Sequence, residues 1–322
     1  MRIARVSGRF YFSATLFLMI ALFGFVGPLL TSRTPTSVVG GLYDAPSGSA
    51  WLGTDNLGHD VLTNLAYATR TSLIVGLLAG TAATLIGAVI GTVAGHRGGL
   101  TEDVLMAVTN IVVAIPAYMV LILIAIALQT RSATGMAIVI AVTTWPWAAR
   151  AVGAQASSVR AREHLDIARL SGAGGFGVIV FDILPYLLSY VVMAFVLQVS
   201  NAILTEAALS LLGLGQSNGV SLGTMLHWAL ASEALRTGAW WAFVPPALLL
   251  TLIAFALLAL QSSMDELFNP RLRRRRRLRA LAPASSLTPA VPAGQPATAN
   301  RPVAAPGPAP ADPVRTTPER SR

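Results

Sequence analysis

The sequence predicts an all-α, polytopic membrane protein of about six transmembrane helices, and three observations carry that expectation. Of 322 residues, 54% are hydrophobic and only 11% charged, where a soluble domain carries roughly 25% charged residues. Apolar runs of about 20 residues, the length that crosses a bilayer, recur along the chain. Arginines gather beside the ends of those runs. All 23 basic residues are Arg, and there is no Cys. That composition excludes a P-loop or Schiff-base lysine, a thiolate nucleophile, a disulfide and a Cys-ligated metal in this chain. The net charge of +9 and pI near 11.1 arise largely from arginines beside the last apolar run and in the tail. A membrane surface explains them better than nucleic acid does.

Residues 1–9 carry Arg2, Arg5 and Arg9 and form a basic N-terminus. Residues 10–30 are apolar throughout. A signal peptide also starts basic, but this run is long enough to span and no small-x-small cleavage site closes it, so it reads as a retained first span. Residues 31–71 read as an external loop, rich in Pro, Gly, Ser and Thr up to residue 50. Asp60 with Val61, Leu62, Leu65 and Ala68 reads as an amphipathic helix leading to Arg70 at the interface. His59 with its flanking aspartates admits a zinc reading. The ligand number is not met, because His96, His164 and His227 fall in other loops. An N-cap and turn is the preferred reading.

Residues 72–271 read as a five-span core. The second span, 73–94, holds the pairs Gly76/Gly80 and Gly87/Gly91, whose small-xxx-small spacing lets helices approach closely in lipid. Glu102 and Asp103 open a third span, 104–128, interrupted by Pro116, which is either a pathway-facing hinge or a tolerated bend. The fourth span, 135–149, contains Trp145-Pro146-Trp147 and is closed by Arg150. Residues 186–212 exceed one crossing: either the helix tilts, or it ends near Thr205 and a second short piece follows. Glu206 lies there, readable as a buried functional carboxylate or as a wet interfacial cap. Loop 216–238 contains Trp228, and Trp240 and Trp241 form an aromatic belt before a sixth span at 242–262. Residues 272–322, with Arg273 to Arg277 and Arg279 followed by a Pro/Ala-rich tail, cannot bury enough apolar surface to fold. The arginine run suits anionic lipid head groups. RNA is the weaker partner, since no aromatics interleave the arginines.

Between the fourth and fifth spans stands a polar, Gly-broken interlude, residues 162–185, REHLDIARLSGAGGFGVIVFDILP. Arg162 and Asp166 are four apart, and Asp166 and Arg169 three apart, so both pairs meet on one face of a short helix. Gly172 fits a left-handed cap ending that helix. The interlude shares its side of the membrane with Arg2, Arg5, Arg9, Arg97, Arg150, Arg160, Arg271 and the run beyond. The opposite side has Arg33, Arg70, Arg131 and Arg236. The positive-inside rule therefore places the interlude and both termini in the cytoplasm.

No Ser-His-Asp neighbourhood, HExxH or phosphate-cradling loop is present, so catalysis is not expected. An ion-coupled secondary transporter is the alternative class. It needs ionisable residues near the midplane, and only Glu206 approaches that description.

The interlude resembles the EAA loop of ABC-transporter permease subunits, in Asp166, Ala168, Gly172, Ile183, Leu184 and Pro185. Arg162, Glu163, Arg169 and Ala173 fit the peptide-permease version. Asp166 stands where Glu is usual, Ile167 where Ala is, and Asp182 where a basic residue or His is expected. The pattern GTD-x-x-G-x-D at Gly53, Thr54, Asp55, Gly58 and Asp60 looks like the segment before the second span of dipeptide, oligopeptide and nickel permeases, with His59 replacing Arg. EAALSLLGLG from Glu206 also resembles that class, as does the acidic, Asn-Pro-Arg ending at 265–271.

The resemblance implies the permease fold of a type I ABC importer, of the C-type half, in a bacterial inner membrane. It implies a cytoplasmic coupling helix within 162–185, gripped through Arg162, Glu163, Asp166, Ala168, Arg169, Gly172, Ala173, Phe176 and Pro185. Glu206 and Pro116 are the candidates for pathway or gating. The implied partners are a second homologous permease subunit, two ATPases and an external solute-binding protein. No cofactor is expected in this chain, ATP and Mg residing on the partners, and the solute is a di- or oligopeptide or a related one such as nickel.

Overall fold

The computed structural model describes residues 8–128, 132–160, 184–216 and 219–268. Of the interlude at 162–185 only the last two residues fall within that set, so Arg162, Glu163, Asp166, Ala168, Arg169, Gly172, Ala173 and Phe176 lie outside the described residues, as does the 272–322 tail. The elements are helical: α1 Gly8–Leu30, α2 Val61–Arg97, α3 Gly99–Ala114, α4 Ala117–Leu128, α5 Ala133–Arg160, α6 Leu184–Leu209, α7 Leu222–Ala231 and α8 Trp240–Phe268. Among the described residues five helices are long and apolar enough to cross a membrane, or six if the bent pair α3 and α4 is one span.

α2 is the axis of the bundle. Its 37 residues reach roughly 55 Å at 1.5 Å per residue, well beyond a ~30 Å hydrocarbon layer. It packs most extensively on α5, then on α6 and α1. The two glycine pairs serve two different neighbours. A Cβ on Gly80 would lie 2.8 Å from the Val199 Cα of α6, and one on Gly76 would strike Ile203. A Cβ on Gly87 would lie 2.5 Å from the Ala148 Cβ of α5, and one on Gly91 2.5 Å from the Ala149 carbonyl. Lipid gives no hydrophobic drive between helices, so this close backbone approach supplies the dispersion contacts that hold them.

The helix starts at Val61 and runs unbroken to Arg97, which corrects the expectation of a separate amphipathic helix ending at Arg70. Asp60 caps it, accepting from Thr63 N at 3.3 Å and Thr63 Oγ1 at 2.6 Å, and no Pro follows to break it. α5 likewise continues nearly three turns past Arg150 to Arg160, because Arg150 is a good helix former and no Pro follows. α6 ends at Leu209, not near Thr205, and gives way to a wider turn, Ser210–Leu214, in which Gly213 takes φ 81°. The supposed loop 216–238 holds α7, fastened by a reciprocal cap. Ser221 Oγ accepts from Thr224 N, and Thr224 Oγ1 accepts from Ser221 N at 2.7 Å. The last span begins at Trp240, so both belt tryptophans sit in its first turn.

At Pro116 the third span bends by 78°. Ile115 is extended at φ −81°, ψ 131°, as the residue before a proline prefers. The Pro116 carbonyl then accepts from Met119 N and Val120 N to start α4. Pro146 is buried inside α5 without breaking it. Gln198 of α6 donates to the Thr144 carbonyl at 3.0 Å beside it. Among the described residues the two larger apolar clusters of the core lie around Leu65, Leu73, Ile203 and Ile253 and around Val75, Leu121, Met136 and Ile140.

Candidate functional site

Glu206 is 1% exposed, so of its two readings the buried carboxylate is the one the fold realises. Ser72 Oγ of α2 donates to Oε2 at 3.0 Å, and Ser210 Oγ donates to Oε1 at 2.7 Å. Ser72 Oγ also accepts the Leu222 N–H at 3.2 Å. The carboxylate therefore joins α2, the end of α6 and the start of α7. An ionisable group at such a place needs hydrogen-bond partners, since an unpaired one is costly in a membrane bundle. The glycines of this stretch permit the approach: a Cβ on Gly223 would lie 2.6 Å from the Ala207 Cα. His227 Nδ1 bonds the Leu211 carbonyl at 2.9 Å, fastening α7 over the turn.

The segment Gly53 to Asp60 is a folded clamp. Thr54, 1% exposed, donates to the Gly41 carbonyl and accepts from Asp44 N, each at 2.7 Å. Asp55 Oδ1 accepts Leu57 N and His59 N, and Oδ2 faces His59 Nδ1 at 3.1 Å and Asn64 Nδ2 at 3.2 Å. Asp60 turns instead to Thr63 and to Arg33, 3.5 Å away. Asp55 thus holds His59, while Asp60 turns away from it. Gly53 and Gly58 take φ 69° and 79°, which L side chains avoid. Trp241 Nε1 donates to the Thr54 carbonyl at 3.1 Å, tying the clamp to α8.

At the other end of α2, the interlude springs from Arg160. Arg160 Nη2 lies 3.3 Å from Glu102 Oε2, and Ser157 Oγ donates to Glu102 Oε1 at 2.7 Å. The guanidinium lies over Gly98 and leaves no room for a side chain there, and the Gly98 φ of 66° is one that L side chains avoid. The far root is Pro185, second residue of α6, where proline's missing N–H costs nothing. The loop residues themselves lie outside the described residues, and Pro116 occupies the α3–α4 bend. Along the bundle, Asn110, Arg150 and Asn201 are exposed, and Trp147 lines two cavities, one with Asn110 and Arg150 and the other with Asn201. The sequence reading missed the Ser72 and Gln198 bonds. It also missed the polar positions Asn110 and Asn201, for which an Asn inside an apolar run was the available signal.

Residues 87–274 match the family model described as binding-protein-dependent transport system inner membrane component. The chain is 32% identical over 268 residues to the dipeptide transport system permease protein DppC of Bacillus subtilis, covering 81% of this chain and 82% of that one. It is 30% identical over 244 residues to the oligopeptide transport system permease protein OppC of Mycobacterium bovis, covering 75% and 82%. It is also 30% identical to the glutathione transport system permease protein GsiD of Pectobacterium atrosepticum, covering 72% and 76%.

Proposed function

Because this chain belongs to the family of binding-protein-dependent transport system inner membrane components, a multi-pass permease subunit of an ABC importer and not itself an enzyme, we propose that it carries short peptides inward. The observation that carries this is the likeness to a dipeptide permease along 81% of the chain. Its relatives named above carry dipeptides, oligopeptides and glutathione, all of them amide-bearing solutes. None of them supports the ion-coupled alternative.

The partners in this reading are a second, homologous permease, two ATPases that hold ATP and Mg, and an external solute-binding protein. The termini and the 162–185 loop face the cytoplasm, and residues 31–60 face outward. Asn110, Arg150 and Asn201 are too costly to leave against hydrocarbon, so their face turns to the second permease and the passage between the two. ATP-driven closure of the ATPases pushes on residues Asp166 to Phe176. The rigid helices rooted at Arg160 and Pro185 convert that push into alternating access.

The test is reconstitution of the chain with its partner permease, ATPases and binding protein in proteoliposomes. Labelled tripeptide should accumulate with ATP inside the ATPase compartment and not with a proton or sodium gradient alone. Gradient-driven uptake, or uptake of nickel with no peptide uptake, would overturn the reading.

A further inference from the structure

A cavity of about 600 Å³ opens along the seam of α3 and α5, lined by Glu102, Met106 and Asn110 of the first and by Trp147 and Arg150 of the second. That size lies within the range of small-ligand sites, roughly 300–1,000 Å³. The two helices pack antiparallel in a regular register. Glu102 bonds Ser157, and Met106 Cε lies 3.1 Å from where a Gly153 Cβ would stand. One more turn in that register sets Asn110 level with Ala149 and Arg150, roughly 10 Å along α5 from Ser157. Both Asn110 and Arg150 are exposed. The carboxylate of the cavity is already engaged, since Glu102 accepts from Ser157 through Oε1 and faces Arg160 through Oε2. Arg150 has no such partner: among the described residues neither a hydrogen bond nor an ion pair holds its guanidinium. A cation that far along a membrane helix is costly unless an anion or water meets it.

We propose that Arg150 receives the C-terminal carboxylate of the peptide in the passage, with Asn110 bonding the last peptide unit. The inference rests on the reading of the solute as a peptide and of this face as the passage wall. A site that accepts peptides of mixed sequence can grip only what they share, which is the backbone and its two charged ends. The carboxylate is the shared anion, and a guanidinium meets it with two parallel N–H donors. An Asn amide both donates and accepts, as the neighbouring peptide unit does. Half-exposed Trp147, one turn back along α5, gives the last side chain a flat apolar wall whatever its size. Arg150 is thereby a specificity-determining residue, favouring solutes that end in a free carboxylate. A lipid phosphate and an acidic side chain of the second permease offer the same oxyanion chemistry, so the test separates the three.

The complete transporter, in nanodiscs and without the binding protein, is titrated with a radiolabelled tripeptide ending in benzoylphenylalanine, as the free acid or as the C-terminal amide, and irradiated. Uptake of native tripeptide is followed in proteoliposomes of the same preparation with binding protein and ATP. The acid should half-saturate labelling of this chain at about one tenth of the amide's concentration, the lower end for a charge-assisted bond. Arg150→Gln should raise the acid to the amide's value and leave the amide's unchanged. Arg150→Lys, which keeps the charge and loses the fork, should retain part of the preference. Labelling that does not saturate, equal values for acid and amide in the wild type, or a preference that survives Arg150→Gln would overturn the assignment while peptide uptake continued. Equal values together with separation of the two permeases in Arg150→Gln would give the guanidinium to an acidic side chain of the partner. A preference present in phosphatidylcholine discs and abolished by added phosphatidylglycerol would give it to a lipid head group, and sinks the assignment too. The wild-type comparison needs no variant, so a misfolded Arg150→Gln leaves the test intact. A transporter that takes up no peptide removes the reading of the solute and this assignment together.

Discussion

The Ser72 hydroxyl donates to Glu206 Oε2 across 3.0 Å while accepting the Leu222 N–H at 3.2 Å, so one side chain of α2 fastens α6 and α7 together. Glu206→Ala strips the partner from Ser72 and Ser210 together and leaves a cavity, and it should cost about 1–3 kcal/mol. Glu206→Gln keeps the shape and can still accept from Ser72, so it should cost less than about 1 kcal/mol. Thermal unfolding of the purified assembly separates the two. If Gln proves as damaging as Ala, the carboxylate's charge matters beyond the geometry seen here.

Gly80 predicts a second outcome. A Cβ there would meet the Val199 backbone at 2.8 Å, and backbone in a packed helix pair does not step aside cheaply. Gly80→Ala should destabilise by about 1–3 kcal/mol through overpacking. Gly48→Ala, with nothing within 4 Å, should be close to neutral. Melting temperatures in one detergent, read side by side, check this.

Those two sites show what a sequence read alone can and cannot reach. The small-xxx-small spacing announced the Gly76/Gly80 and Gly87/Gly91 contacts, because close approach in lipid needs small residues at that period. Asp60 was readable as a cap, since its side chain acts three residues away. Ser72 and Glu206 are 134 positions apart, and nothing local in either stretch names the other. Pro116 marked where the third span breaks, but not the 78° angle of the break. α7 was read as loop because it is only ten residues long and its cap pairs Ser221 with Thr224, where the Glu or Gln that signals a capping box is absent.

The Glu102–Arg160 pair sits at the root of the 162–185 loop with both side chains about 30% exposed. Screening keeps such a pair to about 1 kcal/mol or less, so Glu102→Gln should scarcely change stability. Glu102→Arg places two cations together over Gly98 and should impair uptake several-fold. The swap Glu102→Arg with Arg160→Glu should recover part of the loss. Uptake with no recovery in the double variant would mean that Arg160 acts on something other than Glu102.

Coupling itself is tested at Gly172, which lies outside the described residues and is argued from sequence. The spacing of Arg162, Asp166 and Arg169 calls for a short helix, and Gly172 follows it where a left-handed residue would end the helix and turn the chain. Valine pays heavily for that conformation because its branched Cβ crowds the following carbonyl. Gly172→Val should therefore misplace the loop without disturbing the spans, whose packing lies in α2, α5 and α6. The variant should insert and assemble, hydrolyse ATP in the presence of its partners, and lose most solute uptake per ATP. The ratio of uptake to hydrolysis is the quantity to measure, because a folding defect lowers both together and a coupling defect lowers only the first. Normal uptake per ATP in a fully assembled Gly172→Val transporter would remove this loop from the path of force.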